Sequence, residues 1–560
     1  MAALVVVWLF RAFPTRIYAL PSRVLTRLAG SPRRAILTAA ALTFASCVVI
    51  NWISPYAPLV PDEFSYLLAS DTFAHGRLTN PPHPLWEHFE AFHVNPLPTY
   101  QSKYPPGQGL FMAAGQVLTG FPIAGVCLSM AAASAALCWM LLAWVPPRWA
   151  LFGALLPALR FGSLPQWDEY WFSYWSRTFW GGAVAAIGAA LVFGALPRIL
   201  RSARRRDAAL LALGVIVLAN SRPLEGLVAT LPVAVALLVW AWTHWRDAWR
   251  VAIPMAAVLL TGILAMAYYN YRGTGDPLKM PYVVNMELYE VAPVFIFQSP
   301  KTAKTYNHEP LRAYYFDFML EGYHEKRNGS GFAPQHWTLM LQFFLGFALC
   351  LPVVCAFGRP YHRWAIFAAG TIILEILTSA ISSFANVLRP HYVAPVAPWF
   401  VFLAVTGLRR LRTFRLGSRS FGRPLAECII AVALLSIVMA LGLRLTREVN
   451  YNSISFVRDR PAITKQLAAN GYKNLVLVSY GPKHNPHHDW VSNGADLVGA
   501  AVIWARDMGR EKNERLLDYY RDRKVWRLHV AGIKPELTPY REPLTDLSAP
   551  ASDVPGRDVH

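Results

Sequence analysis

Charged residues are scarce in this sequence. Asp, Glu, Lys and Arg make up 15% of its 560 residues, against about a quarter in a soluble globular domain. Together with 55% hydrophobic residues and a mean hydropathy of +0.30, this deficit excludes a disordered chain, a fibrous repeat and an ordinary cytosolic enzyme. Because apolar stretches recur along most of the chain, the sequence predicts a protein that crosses a membrane several times.

Cysteine is rare, and acidic residues are outnumbered. All 6 cysteines lie within apolar segments, so we expect neither a disulfide framework nor a thiolate metal site. The 53 Lys and Arg exceed the 33 Asp and Glu, which gives a formal net charge of +20. Much of the excess lies in arginine clusters between apolar stretches, as at 33–34, 204–206 and 409–415. Basic loops on one side of a membrane follow the positive-inside rule, which favours membrane topology over nucleic-acid binding.

Segments of about 20 apolar residues are long enough to cross a bilayer, and the sequence holds about eleven candidates by length. They lie at 35–53, 123–145, 149–162, 178–196, 207–221, 224–242, 251–269, 336–357, 364–380, 393–408 and 425–443. The apolar stretch 107–120 is short, and we place it along the outer interface. Only then do the arginine clusters and the cytoplasmic basic N-terminal segment, 1–34, share one side of the membrane.

The domain organisation follows from this topology. We predict an α-helical polytopic membrane domain at 35–445, with outer loops at 54–122 and 270–335. Helical stretches then alternate with the strand-like runs NLVLVSY, AAVIWAR and KVWRLHV, which predicts a small extracytoplasmic α/β domain at 446–540. The end of the chain, 541–560, is rich in Pro, Asp and Ser and is predicted to be disordered. The preference for Arg over Lys indicates a GC-rich genome, and the lack of cysteine in the predicted outer segments suits a bacterial envelope, so we expect a bacterial plasma membrane.

Two adjacent carboxylates, Asp62 and Glu63, follow the first predicted span. Neighbouring residues on a helix point in different directions, so one acid can face a cavity while the other pairs elsewhere. A carboxylate placed there could act as the general base on an acceptor hydroxyl. The alternative is that both acids cap the helix that begins at this point.

Two basic residues on the outer face are candidates for binding phosphate. Lys103 precedes Pro105-Pro106, which opens the interfacial stretch, and it could hold a phosphate or extend to the membrane surface. Arg222 lies in a tight outer turn, where an arginine departs from the positive-inside bias. Its guanidinium could bind phosphate with two hydrogen bonds or pair with Glu225.

Further candidates lie in two other outer segments. Asp168 and Glu169, in a loop rich in Trp and Tyr, could supply a second acid or ligate a divalent cation, or form a solvated pair. Arg389 and Tyr392 open an outer-facing span and could contact an anionic head group. No other cofactor is indicated.

Histidines cluster in the first outer loop and in the C-terminal region. Their spacing matches no zinc motif, so we expect polar surface loops and no metal site. The two groups are His83, His88 and His93, and His484, His487 and His488.

Taken in order, these elements resemble the membrane glycosyltransferases of the GT-C fold, in particular the protein O-mannosyltransferases and the lipid A aminoarabinose transferases (a family 39-like group). The resemblance covers about residues 35–445. It is carried by four elements in sequence: Asp62-Glu63 after the first span, Lys103-Tyr104-Pro105-Pro106, Arg222, and Arg389, Tyr392 and Pro395. It departs at Ser65, where the aminoarabinose transferases carry an arginine.

The resemblance implies a polyprenyl-phosphate-linked sugar donor and an acceptor that is a lipid, a protein or a glycan. Asp62, beside Glu63, would deprotonate the acceptor. Lys103, Arg222, Arg389 and Tyr392 would bind the leaving lipid phosphate, and displacement would invert the anomeric carbon. Three alternatives stay open: a polymerase or ligase of lipid-linked glycans, a transporter or flippase, and a structural or sensory membrane protein. No internal repeat of the kind common in transporters is found.

Overall fold

The computed structural model of the chain describes residues 20–53, 55–160, 174–383, 390–415, 417, 421–446, 455–482, 484–531 and 534–540. The N-terminal half contains these helices: α1 (Leu20–Ala29), α2 (Pro32–Ile53), α3 (Pro61–Ala74), α4 (Pro106–Thr119), α5 (Pro122–Leu141), α6 (Pro147–Arg160), α7 (Tyr174–Arg177), α8 (Ala183–Ser202), α9 (Arg205–Ala219), α10 (Pro223–Thr243) and α11 (Trp245–Thr274). The remaining helices are α12 (Pro281–Tyr289), α13 (Glu309–Arg312), α14 (Met319–Arg327), α15 (Pro334–Phe344), α16 (Gly346–Cys355), α17 (His362–Ile381), α18 (Ala397–Leu411), α19 (Gly422–Thr446), α20 (Ser455–Ala468) and α21 (Arg510–Tyr519), with a π-helical turn at Ala313–Phe318 between α13 and α14.

Within the described residues, six helices are long and apolar enough to cross a membrane: α2, α5, α8, α10, α11 and α17. Each corresponds to one of the predicted spans. In the most apolar window of α8, 78% of the residues are buried, against 6% in α11. Helix α8 therefore lies inside the bundle, whereas α11 exposes most of its surface. The other predicted spans fall on α6, α9, α15 with α16, α18 and α19, and the total of eleven stays a prediction.

The short helix α4 packs closely against α5. A Cβ added at Gly115 would lie 2.0 Å from the backbone nitrogen of Gly125, so the two helices approach at a distance that only glycine permits. The 14 residues of α4 extend for about 21 Å, less than the ~30 Å of a hydrocarbon core. Its predicted place along the outer interface remains a prediction.

Among the residues that the structure describes, the strands form two sheets. A short antiparallel pair, β1 (Val94–Asn95) and β2 (Gln101–Ser102), lies in the first predicted outer loop. A four-stranded sheet in the C-terminal region contains β3 (Asn474–Tyr480), β4 (Val502–Arg506), β5 (Lys524–Val530) and β6 (Glu536–Pro539), in the order β4-β3-β5-β6. β3 is parallel to both β4 and β5, and β6 is antiparallel to β5.

The strand β3 is buried on both faces over most of its length, which explains its apolar run at 475–478. On one face, Leu475 and Leu477 share a core with Phe89 and Tyr100 of the first predicted outer loop. On the other face, Val476 and Val478 pack with residues that include Phe456 of α20. The C-terminal sheet thus shares a hydrophobic core with the loop that follows α3. Its status as a separate domain at 446–540 stays a prediction.

Candidate active site

The first turn of α3 separates the two adjacent acids. Proline at its first position, Pro61, suits a helix start. Glu63 is fully buried. One of its carboxylate oxygens accepts hydrogen bonds from the Tyr56 hydroxyl (2.8 Å) and the Leu59 amide (2.9 Å), and the other accepts one from the Phe179 amide (3.1 Å). Glu63 therefore caps the start of α3, as the alternative interpretation of the two acids predicts. Its hydrogen bond from Phe179 also connects this helix start to a distant segment of the chain.

Asp62 points elsewhere, as neighbours on a helix should. Its side chain is 21% exposed. Oδ1 accepts a hydrogen bond from the Tyr104 hydroxyl, and Oδ2 lies 3.6 Å from Nε2 of His93. Asp62 is thus the acid of the pair that reaches solvent, within a ring of groups able to orient it.

His93 is the unexpected member of this group. Its backbone has φ of 61°, which is uncommon for a residue other than glycine. Its ring is buried, and the hydroxyls of Tyr314 and Tyr315 lie 3.2 and 3.4 Å from its two nitrogens. Burial, and then the charge of Lys103, lower the pKa of His93 to about 3, so a neutral imidazole faces Asp62 at pH 7.

The backbone of His93 also holds neighbouring parts of the site. Its carbonyl accepts hydrogen bonds from the Ser65 hydroxyl (2.6 Å) and from the Lys103 amide (3.0 Å). No periodic pattern in the sequence indicates this role, because it depends on one residue in a left-handed conformation within an irregular loop.

Lys103 is buried and does not extend to the surface. Its ammonium lies 3.2 Å from Oε1 of Glu290 and 4.9 Å from the ring centre of Tyr282. Glu290 is fully buried. Within the described chain its Oε2 has no hydrogen-bond partner. Glu290 and Tyr282 come from the predicted loop 270–335, and sequence reasoning missed both.

Arg222 lies in the turn between α9 and α10, directly before the first residue of α10. Its guanidinium carbon is 5.0 Å from the ring centre of Tyr392, and one of its nitrogens is 3.9 Å from Oε1 of Glu225. The turn that carries Arg222 is fixed to α4, because the Gly107 amide donates a hydrogen bond to the Asn220 carbonyl (2.8 Å). A Cβ at Gly107 would lie 2.6 Å from that oxygen.

An aromatic cluster joins these elements. The rings of Tyr66 and Tyr104 stack at 4.4 Å. Burial raises the pKa of the Tyr66 hydroxyl. The charge of Arg222 lowers this pKa, whereas Asp62 and Tyr392 raise it. Burial likewise raises the pKa of the Tyr282 hydroxyl. The charges of Glu290, Tyr392 and Glu225 raise this pKa further, and the charge of Arg222 lowers it. The structure thus brings four of the sequence-predicted candidates around one buried cluster: Asp62, Lys103, Arg222 and Tyr392.

Three candidates, Arg389, Asp168 and Glu169, lie outside the described residues and stay predictions. The same holds for the divalent cation that the last two could ligate. In the part of the chain that the structure describes, no group of three or more His, Cys, Asp or Glu stands together in an arrangement that could hold a metal ion.

The expectation of polar surface loops is wrong for the histidines of the first predicted outer loop, all of which are buried. The C-terminal region covers two of them, His83 and His88. Nε2 of His83 lies 3.0 Å from the Tyr520 hydroxyl, and Nδ1 of His88 lies 3.0 Å from the Arg506 carbonyl. Because these contacts join segments far apart in the chain, no local sequence pattern predicts the burial of these histidines.

The histidine-rich turn of the C-terminal region reaches the candidate site. The ring of His487 contacts those of Tyr314 (5.4 Å) and Phe318 (4.8 Å), and Tyr314 in turn contacts His93. The C-terminal region therefore forms part of the surroundings of Asp62.

Comparison with known proteins gives only remote similarities. No family model and no curated protein matches the sequence. The chain is similar to the crystal structure of ArnT from Cupriavidus metallidurans bound to undecaprenyl phosphate, with a TM-score of 0.46 and 16% identity over 87% of this chain and 92% of that chain. It is also similar to the archaeal oligosaccharyltransferase AglB from Archaeoglobus fulgidus in complex with an inhibitory peptide and a dolichol-phosphate, with a TM-score of 0.46 and 11% identity over 88% of this chain and 69% of that chain.

Both neighbours are GT-C membrane glycosyltransferases, the group that the sequence resembles. With TM-scores below 0.5, this similarity assigns no activity, substrate or residue role to the present chain.

Proposed function

We propose that this protein is a membrane glycosyltransferase. It transfers a hexosyl or pentosyl group from a polyprenyl-phosphate-linked donor to a hydroxyl of a lipid, protein or glycan acceptor on the outer side of a bacterial plasma membrane. One observation carries the proposal. A partly exposed carboxylate, Asp62, shares a buried aromatic cluster with two cations, Lys103 and Arg222.

The chemistry follows from the placement of these charges. Asp62 accepts the proton of the acceptor hydroxyl as its oxygen attacks the anomeric carbon, a role that contributes about 10²–10⁴-fold to the rate. The bond between that carbon and the phosphate oxygen breaks, and its electron pair leaves with the lipid phosphate. Lys103 and Arg222 stabilise the charge that develops there, through hydrogen bonds that are stronger because both partners are charged. Attack from the face opposite the phosphate inverts the configuration.

Glu63 has a different part in this proposal. Its carboxylate is occupied by hydrogen bonds from Tyr56, Leu59 and Phe179, so it holds the start of α3 in place and does not contact the acceptor. Tyr392, under the guanidinium of Arg222, keeps that side chain oriented. Polymerases and ligases of lipid-linked glycans need no carboxylate base, and the position of Asp62 favours the transferase over them.

The experiment is a donor panel. The purified protein is reconstituted in liposomes with undecaprenyl-phosphate sugars of different kinds and a crude envelope extract as the source of acceptor. We expect one donor to release undecaprenyl phosphate, with inverted configuration at the product's anomeric carbon. Transfer of whole oligosaccharides would instead indicate a polymerase or ligase. Movement of labelled donor across the bilayer without release would indicate a flippase.

A further inference from the structure

Each cation assigned to the phosphate has a carboxylate of its own. Lys103 lies 3.2 Å from Glu290, and Arg222 lies 3.9 Å from Glu225. The first pair is the tighter and the more deeply buried, since the exposed fractions are 4% for Lys103 and 0% for Glu290, against 14% and 13% for the second pair. Charge interactions strengthen as the surroundings lose water, so Glu290 offsets the charge of its partner more than Glu225 does.

Folding alone does not explain Glu290. Its Oε2 is buried without a hydrogen-bond partner among the described residues, and an unsatisfied buried acceptor lowers stability. Replacing a buried ion pair by apolar side chains is often neutral or stabilising. A fully buried carboxylate with one oxygen unsatisfied, placed beside the cation that would receive the phosphate, therefore calls for a role connected with that cation.

The charges of the substrate and the product supply such a role. The donor is a phosphodiester with one negative charge, whereas the released lipid phosphate is a monoester that carries about −1.5 to −2 at pH 7. A site with two unpaired cations would bind the product more tightly than the donor. Release would then limit turnover, as it does in many enzymes.

We propose that Glu290 is a positioning residue that acts through Lys103 to keep the affinity for the lipid phosphate product low. It offsets part of the ammonium charge, so that Lys103 can stabilise the leaving group without retaining it. Glu225 offsets the charge of Arg222 in the same way, but to a smaller extent. This inference rests on the proposed function, because it takes the polyprenyl phosphate as the ligand of both cations.

The test measures the binding of undecaprenyl phosphate to the full-length protein in detergent. We compare the wild type with Glu290→Gln and Glu225→Gln, which remove a charge and keep the shape of the side chain. The matched control is Glu287→Gln in α12, the helix that ends just before Glu290; Glu287 is an exposed acid paired with Lys279. Glu290→Gln is expected to bind about 10-fold more tightly, which corresponds to about 1.4 kcal/mol. Glu225→Gln should show a smaller gain and Glu287→Gln none.

Steady-state kinetics distinguish this role of Glu290 from a purely structural one. In Glu290→Gln, kcat and the KM for the donor should fall together, and added undecaprenyl phosphate should inhibit at about 10-fold lower concentration. Unchanged or weaker product binding by a folded Glu290→Gln protein would overturn the inference.

A second measurement needs no variant and covers the case in which Glu290→Gln does not fold. It compares the affinity of the wild type for undecaprenyl phosphate with that for its methyl phosphodiester. Charge balance predicts affinities within about threefold of each other, whereas a 10-fold or greater preference for the monoester would overturn the inference. Absence of binding to both lipids would instead contradict the proposed function itself.

Discussion

Nε2 of His93 lies 3.6 Å from Oδ2 of Asp62, and the backbone of His93 has a φ of 61°. Strain of this kind concentrates at functional sites. The buried, neutral imidazole is held by two tyrosine hydroxyls, so it fixes one side of the carboxylate that would take the acceptor proton.

Replacing His93 should therefore impair catalysis more than folding when the new residue tolerates positive φ. We expect His93→Asn to keep the unfolding midpoint near that of the wild type and to lower kcat about 100-fold, because small misplacements of a catalytic group cost that much. His93→Val, which does not tolerate this conformation, should fold poorly. Full turnover in a folded His93→Asn protein would remove His93 from the account.

Gly107 joins α4 to the turn that carries Arg222. The added Cβ of Gly107→Ala would lie 2.6 Å from the Asn220 carbonyl oxygen, so the turn that carries Arg222 must shift relative to the start of α4. We expect weaker binding of undecaprenyl phosphate, by 10-fold or more. Gly370→Ala in α17 is the matched control, because nothing in the described part of the chain lies within 4 Å of the added Cβ. This control should keep wild-type binding, since alanine is favoured by about 0.5–1 kcal/mol over glycine in a helix. Equal binding by both variants would contradict the assigned contact.

Glu63 should make stability depend on pH in a defined direction. Burial raises its pKa from 4.5 to about 7, so between these values the folded protein retains a proton that the unfolded chain has lost. Stability therefore falls as pH rises through this interval, by about 3 kcal/mol for this group. In Glu63→Gln this contribution is absent.

The comparison of slopes isolates the effect. Thermal unfolding midpoints in detergent, measured from pH 5 to pH 7.5, should fall more steeply for the wild type than for Glu63→Gln. His93 contributes in the opposite direction, since its pKa is lowered on folding, but it is present in both proteins and cancels. Parallel slopes would contradict the burial of an ionisable Glu63.

The C-terminal sheet is held to the first predicted outer loop by a buried arginine. One guanidinium nitrogen of Arg506 lies 2.8 Å from Asp489, and another donates to the Glu90 carbonyl at 2.8 Å. Arg506→Met leaves a buried carboxylate unpaired, which costs about 3–5 kcal/mol.

We expect Arg506→Met to increase hydrogen exchange in β3 and β4 and in residues 88–95, and to lower turnover. The control is Arg527→Met, which removes an exposed arginine 3.5 Å from Asp507 and should change exchange little. Unchanged exchange in Arg506→Met would show that the apolar core alone fixes the sheet against the loop.

Local rules predicted part of this site. The divergence of Asp62 and Glu63 follows from helix geometry. That Lys103 and Arg222 share one side of the membrane stays a prediction of the topology inferred from the arginine clusters. The roles of Glu290 and Tyr282, and the covering of His83 and His88 by the C-terminal region, could not be predicted. These contacts join segments far apart in the chain, such as Lys103 and Glu290 at a separation of 187 residues, and they depend on packing that leaves no periodic trace in the sequence.

The most direct test of the central claim is turnover by Asp62→Asn. With the donor that the wild type consumes, we expect the release of undecaprenyl phosphate to fall by about 10²–10⁴-fold, while binding of the donor and the unfolding midpoint stay near the wild-type values. Glu63→Gln, measured beside it, should retain most of its turnover at a temperature where it is folded. Release at the wild-type rate by Asp62→Asn would contradict the assignment of Asp62 as the base.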